Sequence, residues 1–169
     1  YFASLKEAAR FMREEFYGKL CKDENVELKE LALQGGESVA VPEDARAVLI
    51  NAPQTDISAD EAEALKTYVK GGGNVILTTY VETYGEEKMP NLAGFCKFMG
   101  LRAIEEQILE DEDSHYYNYV NWILAGITGN GITSALDNTN YYFYMVMSHA
   151  ITTADTEGAE SSVETYSLL

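Results

Sequence analysis

The chain has 169 residues, 46% of them hydrophobic and 24% charged, which is the composition of a folded domain with a core and not of a disordered segment. Lys and Arg number 12 against 28 Asp and Glu, and a net charge of −16 repels nucleic-acid phosphates and anionic lipid headgroups, so nucleic-acid binding is excluded. No run of about 18 apolar residues is long enough to cross a bilayer, and the opening residues lack the basic-then-apolar pattern of a leader.

Leu5, Ala8, Ala9, Met12 and Phe16 recur at helical spacing, which predicts an amphipathic helix over 3–20 ended by Gly18 and the polar run Lys22-Asp23-Glu24-Asn25. Val26, Leu28, Leu31 and Leu33 suggest a strand, and Gln34-Gly35-Gly36-Glu37 a turn. Ala47-Val48-Leu49-Ile50 is a continuous apolar run of the kind expected in a strand buried on both faces of a parallel sheet. The loop Asn51 to Asp56 leads to Ser58 and Glu61, an S-x-x-E capping box that starts a helix carrying Ala62, Leu65, Tyr68 and Val69 on one face. Gly71-Gly72-Gly73 supplies its left-handed stop, and Val75-Ile76-Leu77 is a second strand, which a crossover of this length makes parallel to the first.

A further helix begins at Met89-Pro90-Asn91-Leu92 and stops at Gly100, and Leu101 to Ile104 reads as a third parallel strand. Beyond it lie an acidic run, Glu110 to Asp113, and two tyrosine-rich segments around 116–119 and 141–147, the second read as a strand, with a last strand over Val163 to Leu169. The expectation is one α/β domain over residues 1–169, with a mainly parallel sheet flanked by helices. Its ends, inside a helical pattern and in mid-strand, suggest a piece of a longer parent.

The ordered set Val41-Pro42-Glu43-Asp44, Pro53 with Asp56-Ile57-Ser58 and Glu61, Tyr68 with Gly72-Gly73, and Pro90-Asn91-Leu92 resembles the Gldg-type family, auxiliary proteins of uncharacterised ABC transport systems. The resemblance runs on through Glu110–Tyr117 and Ser148-His149-Ala150-Ile151. It implies a flavodoxin-like, class I glutamine amidotransferase-like fold. It also implies a membrane-anchored parent, a position on the outer side of the cytoplasmic membrane, ABC permease and ATPase subunits as partners, and no established catalytic activity. A Gly-His-Gly-Glu stretch that often precedes the region is absent, and Asn118-Tyr119 stands where Asn-Pro often follows the tyrosines.

Several constellations invite chemistry. Cys96 falls on the apolar face of its helix, and Phe98 stands where a nucleophile elbow needs glycine, so a core thiol is the better reading for it, as for Cys21. Ser148 and His149 are adjacent on a strand and face opposite ways, so they cannot form one dyad. Asp111, Asp113 and His115 offer oxygen and nitrogen donors but lack the glycine and later glutamate of a calcium loop, which makes the run a solvated loop. The glycine run lacks the Lys-Ser or Lys-Thr of a phosphate loop. No metal and no cofactor is expected.

The functional expectation is a non-catalytic binding domain for a partner subunit or a transported ligand. A small ligand would sit at the C-terminal ends of the strands, on Gln54, Thr55, Asp56, Thr79 and Tyr80. The tyrosine cluster, with Tyr116, Tyr117, Tyr142 and Tyr144 as its candidate interface residues, suits a protein interface or the face of a sugar. The alternatives are a carbohydrate-binding module built on those tyrosines and a divergent amidotransferase-like hydrolase using Cys96.

Overall fold

The computed structural model describes residues 17–31, 33, 39–129, 131, 133–136 and 141–154. Residues 3–16 of the helix expected over 3–20, the turn at Gln34–Glu37 and the strand at Val163–Leu169 lie outside these. The chain divides into two compact units, Tyr1–Gly35 and Gly36–Leu169.

In the first unit, α1 (Gly18–Asp23) includes the glycine expected to end a helix. The stop is Asn25 instead, in the left-handed region at φ 56°. Asn25 N donates to Lys22 O and Val26 N to Cys21 O, the double closure of a Schellman cap with Asn in the position usually held by glycine. The residues described over 26–33 form no strand, and Val26, Leu28 and Leu31 are exposed.

The second unit opens with β1 (Ala47–Asn51), α2 (Ala59–Lys70) and β2 (Asn74–Thr78). The strands pair in parallel, from Ala47 opposite Asn74 to Asn51 opposite Thr78. Both halves of the capping box form: Glu61 N donates to Ser58 Oγ at 3.2 Å, and Ser58 N to Glu61 Oε2 at 2.6 Å. At the far end Gly72, at φ +90°, closes a second Schellman cap through Gly72 N to Val69 O and Gly73 N to Tyr68 O. Gly73 is required for a different reason. A Cβ there would run into the Tyr68 ring, whose hydroxyl donates to Ala45 O at 3.0 Å. Tyr68 thus lies across Gly73 and ties the end of α2 to the entry of β1.

Next comes α3 (Pro90–Phe98), with proline at its first position, where a missing N–H costs nothing, and Gly100 in the left-handed region just past its end. The core joins Val48, Leu65, Tyr84, Met89, Leu92, Phe95 and Ala103, so both helices pack on the Val48 side of the strand pair. Burial alternates along both strands. Val48 and Ile50 turn inward, whereas Leu49 and Ile76 are 38% and 57% exposed among the described residues. The apolar run is therefore a strand with one covered face, not two.

The remaining elements are β3 (Leu101–Gln107), β4 (Tyr116–Tyr117), β5 (Tyr119–Ala125), a 3-10 turn at Ser134–Leu136, β6 (Phe143–Val146) and β7 (His149–Thr153). Here the sequence expectation is corrected. β3 is not a third parallel strand. It pairs antiparallel with β7, Leu101 opposite Thr153 and Ala103 opposite Ile151, with an irregularity before Gln107 meets His149. β4, β5 and β6 form a separate antiparallel sheet. Only β1 and β2 are parallel among the described residues, so the fold is β-rich with mostly antiparallel ladders, not a flavodoxin-like parallel sheet. The reason is visible in β3. Its sequence Leu-Arg-Ala-Ile-Glu-Glu-Gln buries Ala103 alone and exposes Arg102, Glu105 and Glu106, which no strand covered on both faces could do.

Candidate functional site

At the C-terminal ends of β1 and β2 the backbone is held closely. Ala52 takes φ 43°, and its N–H lies 3.0 Å from both Thr78 O and Thr78 Oγ1. The Thr78 hydroxyl donates to Asn51 Oδ1 at 2.8 Å. Gln54 donates from Nε2 to Ala52 O, and both Gln54 and Thr55 are exposed. Asp56 is different. Its Oδ2 accepts from Asn91 N and Asn91 Nδ2, each at 2.9 Å, and its Oδ1 from Leu92 N at 3.0 Å, while Asn91 Nδ2 also donates to Ile57 O at 2.8 Å. The residue before α3, Met89, supplies no side-chain cap. Asp56 therefore caps α3 from a loop 35 residues away, binding the N–H groups that a local cap would bind and placing its charge at the positive end of the helix. The aspartate of P-x-x-D-I-S and the asparagine of P-N-L are two halves of one device.

Thr79 and Tyr80 both reach the C-terminal strands. Thr79 Oγ1 lies 2.6 Å from His149 Nε2, and His149 Nδ1 lies 3.0 Å from Ile104 O. A carbonyl oxygen can only accept, so Nδ1 donates to Ile104 O, and Nε2 shares a hydrogen bond with the Thr79 hydroxyl, which can serve as donor or acceptor. The hydroxyl that meets this imidazole belongs to Thr79, not to the adjacent Ser148. Tyr80 donates to the Met147 sulfur at 3.6 Å, and the Tyr84 ring lies 5.7 Å from that of His149. Sequence reasoning placed Thr79 and Tyr80 at this edge but missed His149 and Met147. A link across 70 residues leaves no local pattern to find.

The second feature is the sheet β4–β5–β6. Trp122 stands opposite Val146, and Leu124 opposite Tyr144, so these four share a face. On it the rings form a chain: Tyr119 to Trp122 at 4.6 Å, Trp122 to Tyr144 at 6.0 Å and Tyr144 to Tyr117 at 6.3 Å, all edge to face. Tyr117 is 58% exposed and Tyr144 49%. Tyr116 instead pairs with Ile123, half-buried, and donates its hydroxyl to Asp113 Oδ1 at 2.8 Å, which pushes its own ionisation up. Tyr142 lies exposed just before β6. The sheet thus joins Tyr117 and Tyr144, adds Tyr119 and Trp122 to them, and turns Tyr116 to other work. Asn118, between Tyr117 and Tyr119, takes φ 65°, and the strand register shifts there.

The acidic run is folded upon itself. Glu110 Oε1 accepts from Asp111 N and Glu112 N, and no group of three His, Cys, Asp or Glu side chains able to hold a metal occurs among the described residues. Both cysteines are free. Cys96 is buried, and burial pushes its thiol ionisation up despite the neighbouring Tyr84 hydroxyl. Such a thiol is a poor nucleophile near neutral pH. Glu86 accepts from Lys97 Nζ and Arg102 Nε, each at 2.8 Å, which holds its carboxyl below the usual range.

No family model matches the chain, and no curated protein matches it. A solved structure described as "mmIFT52 N-terminal domain" is similar with a TM-score of 0.56 at 15% identity, covering 81% of this chain and 64% of its own. The chain thus spans a little under two thirds of that structure's length, and at this identity the likeness is one of fold alone.

Proposed function

We propose that the chain is a binding domain of a Gldg-type, membrane-anchored protein, non-catalytic, lying on the outer side of the cytoplasmic membrane beside an ABC permease and ATPase and docking a subunit of that system. The observation that carries the binding role is the exposed chain of aromatic rings on β4–β5–β6, since large exposed aromatic faces mark interaction sites. The family assignment rests on the order and spacing of the motifs. It gains support from the way its parts meet, Asp56 with Asn91 across 35 residues and Tyr68 with Gly73 at one helix end. The buried Cys96 argues against a thiol hydrolase.

The test is co-purification. Full-length parent solubilised from membranes is expected to bring down the permease and ATPase encoded beside it, and Tyr117→Ser/Tyr144→Ser to weaken that capture. Its absence, or capture indifferent to both substitutions, refutes the proposal. Cleavage of the domain by external protease in cells with an opened outer layer checks the side of the membrane; full protection refutes it.

A further inference from the structure

The aromatic face sits in an unusually one-signed stretch of chain. From Ala103 to Leu169 there is no Lys or Arg, whereas Asp and Glu number eleven. The acidic run is joined directly to this sheet. Glu110 N donates to Val120 O at 2.7 Å, next to Tyr119, and Leu124 N donates to His115 O at 2.8 Å. The Asp111 and Glu112 residues are exposed. The rings meet edge to face, which fixes their positions without stacking them into one block. A cation approaching the sheet finds exposed tyrosine rings in the field of an acidic run that is hydrogen-bonded through its backbone to the same sheet.

We propose that this face binds a basic, Arg/Lys-rich segment of a partner protein, each cation lying on a tyrosine or tryptophan ring with Asp111 and Glu112 attracting the chain. This rests on the reading of the domain as a docking module and names the chemistry of what docks. A nucleic acid is repelled by the charge, and a second copy would set another surface of the −16 chain against the first. A neutral sugar would use the rings and leave the one-signed charge without a role.

The test uses the 169-residue chain with a fluorescent oligo-arginine peptide, an oligo-glutamate peptide and a neutral chito-oligosaccharide. Oligo-arginine is expected to bind, more weakly as salt rises, and Tyr117→Ser/Tyr144→Ser to weaken it about tenfold or more. Asp111→Asn/Glu112→Gln is expected to weaken it and flatten the salt dependence. Asp60→Asn/Glu87→Gln, the same charge loss elsewhere, is expected to change it little. Unfolding midpoints of all variants establish that each is folded. No oligo-arginine binding, equal loss in the control pair, or preference for the sugar overturns the inference. A photo-crosslinking side chain at Tyr119 in the full-length parent separates the two readings. A cross-link to a transport subunit without oligo-arginine binding overturns the basic segment and leaves the docking module standing. The absence of both overturns both.

Discussion

Asp56→Ala removes the acceptor for the first two free N–H groups of α3, those of Asn91 and Leu92, and for one hydrogen of the Asn91 amide. A lost N-terminal cap costs about 1 kcal/mol, and a second half-buried N–H left without a partner adds about 1 kcal/mol. The Asn91 amide keeps its bond to Ile57 O, so its share is small. The expected loss is about 2–3 kcal/mol. For a domain of this size that lowers the melting temperature by about 5–10 °C and the urea midpoint without changing the slope. Asp56→Asn retains one acceptor oxygen and is expected to cost about half as much. Asn91→Ala alone is expected to cost about 1 kcal/mol, and the double variant less than the sum, because both substitutions break the same bonds. Loss below about 0.5 kcal/mol for Asp56→Ala, or strict additivity in the cycle, refutes the capping account.

Gly73→Ala drives a methyl into the Tyr68 ring and is expected to cost about 2–3 kcal/mol in urea unfolding, falling when Tyr68 is also Ala. Gly72→Ala meets no neighbour and carries only the strain of φ +90°, about 1 kcal/mol; equal costs at both glycines would contradict the distinction. Native Cys96 is expected to resist iodoacetamide and to label on unfolding, read by mass spectrometry; labelling in the folded chain would show an accessible thiolate. Glu86 has its carboxyl lowered by Lys97 and Arg102, so its contribution is present above the ordinary value of 4.5 and is lost as pH falls through the lower folded value. The stability gap between wild type and Glu86→Gln is therefore expected to narrow on acidification, measured by urea midpoints across pH, and a gap that widens would reverse the sign.

What the sequence discloses here is set by distance along the chain. The Ser58/Glu61 box, the 71–73 stop, the proline start and Gly100 stop of α3, and the parallel pairing of β1 with β2 all rest on groups a few residues apart or on one crossover. Asn25 is the local exception, since a left-handed asparagine resembles any polar loop residue until its backbone angles are known. The partner of β3 lies some 50 residues on, and the apolar residues of Leu101–Ile104 fit either a parallel or an antiparallel neighbour. Only the charges that follow, Glu105 and Glu106, hint that this strand is open to water. At the candidate sites the tyrosine content was plain but the choice of outward rings was not, because consecutive tyrosines alternate faces and the turn at Asn118 breaks the alternation. Thr79 follows β2 directly, yet its partner, His149, enters only when β7 folds back.

The pairing of β3 with β7 also bears on how the chain is made. Translation delivers Leu101–Gln107 well before His149–Thr153, and the α2–α3 core can assemble in the meantime from nearer contacts. During that interval β3 offers an unsatisfied edge beside a packed core, with Ile104 as its apolar handle. Glu105 and Glu106 lie along that same strand, and their charge discourages edge-to-edge pairing of nascent chains. Ribosome-bound fragments ending before His149 should therefore aggregate far more readily once both glutamates are replaced by Gln, while the completed chain, in which the residue at 105 still offers an oxygen to Glu86 N, tolerates the exchange.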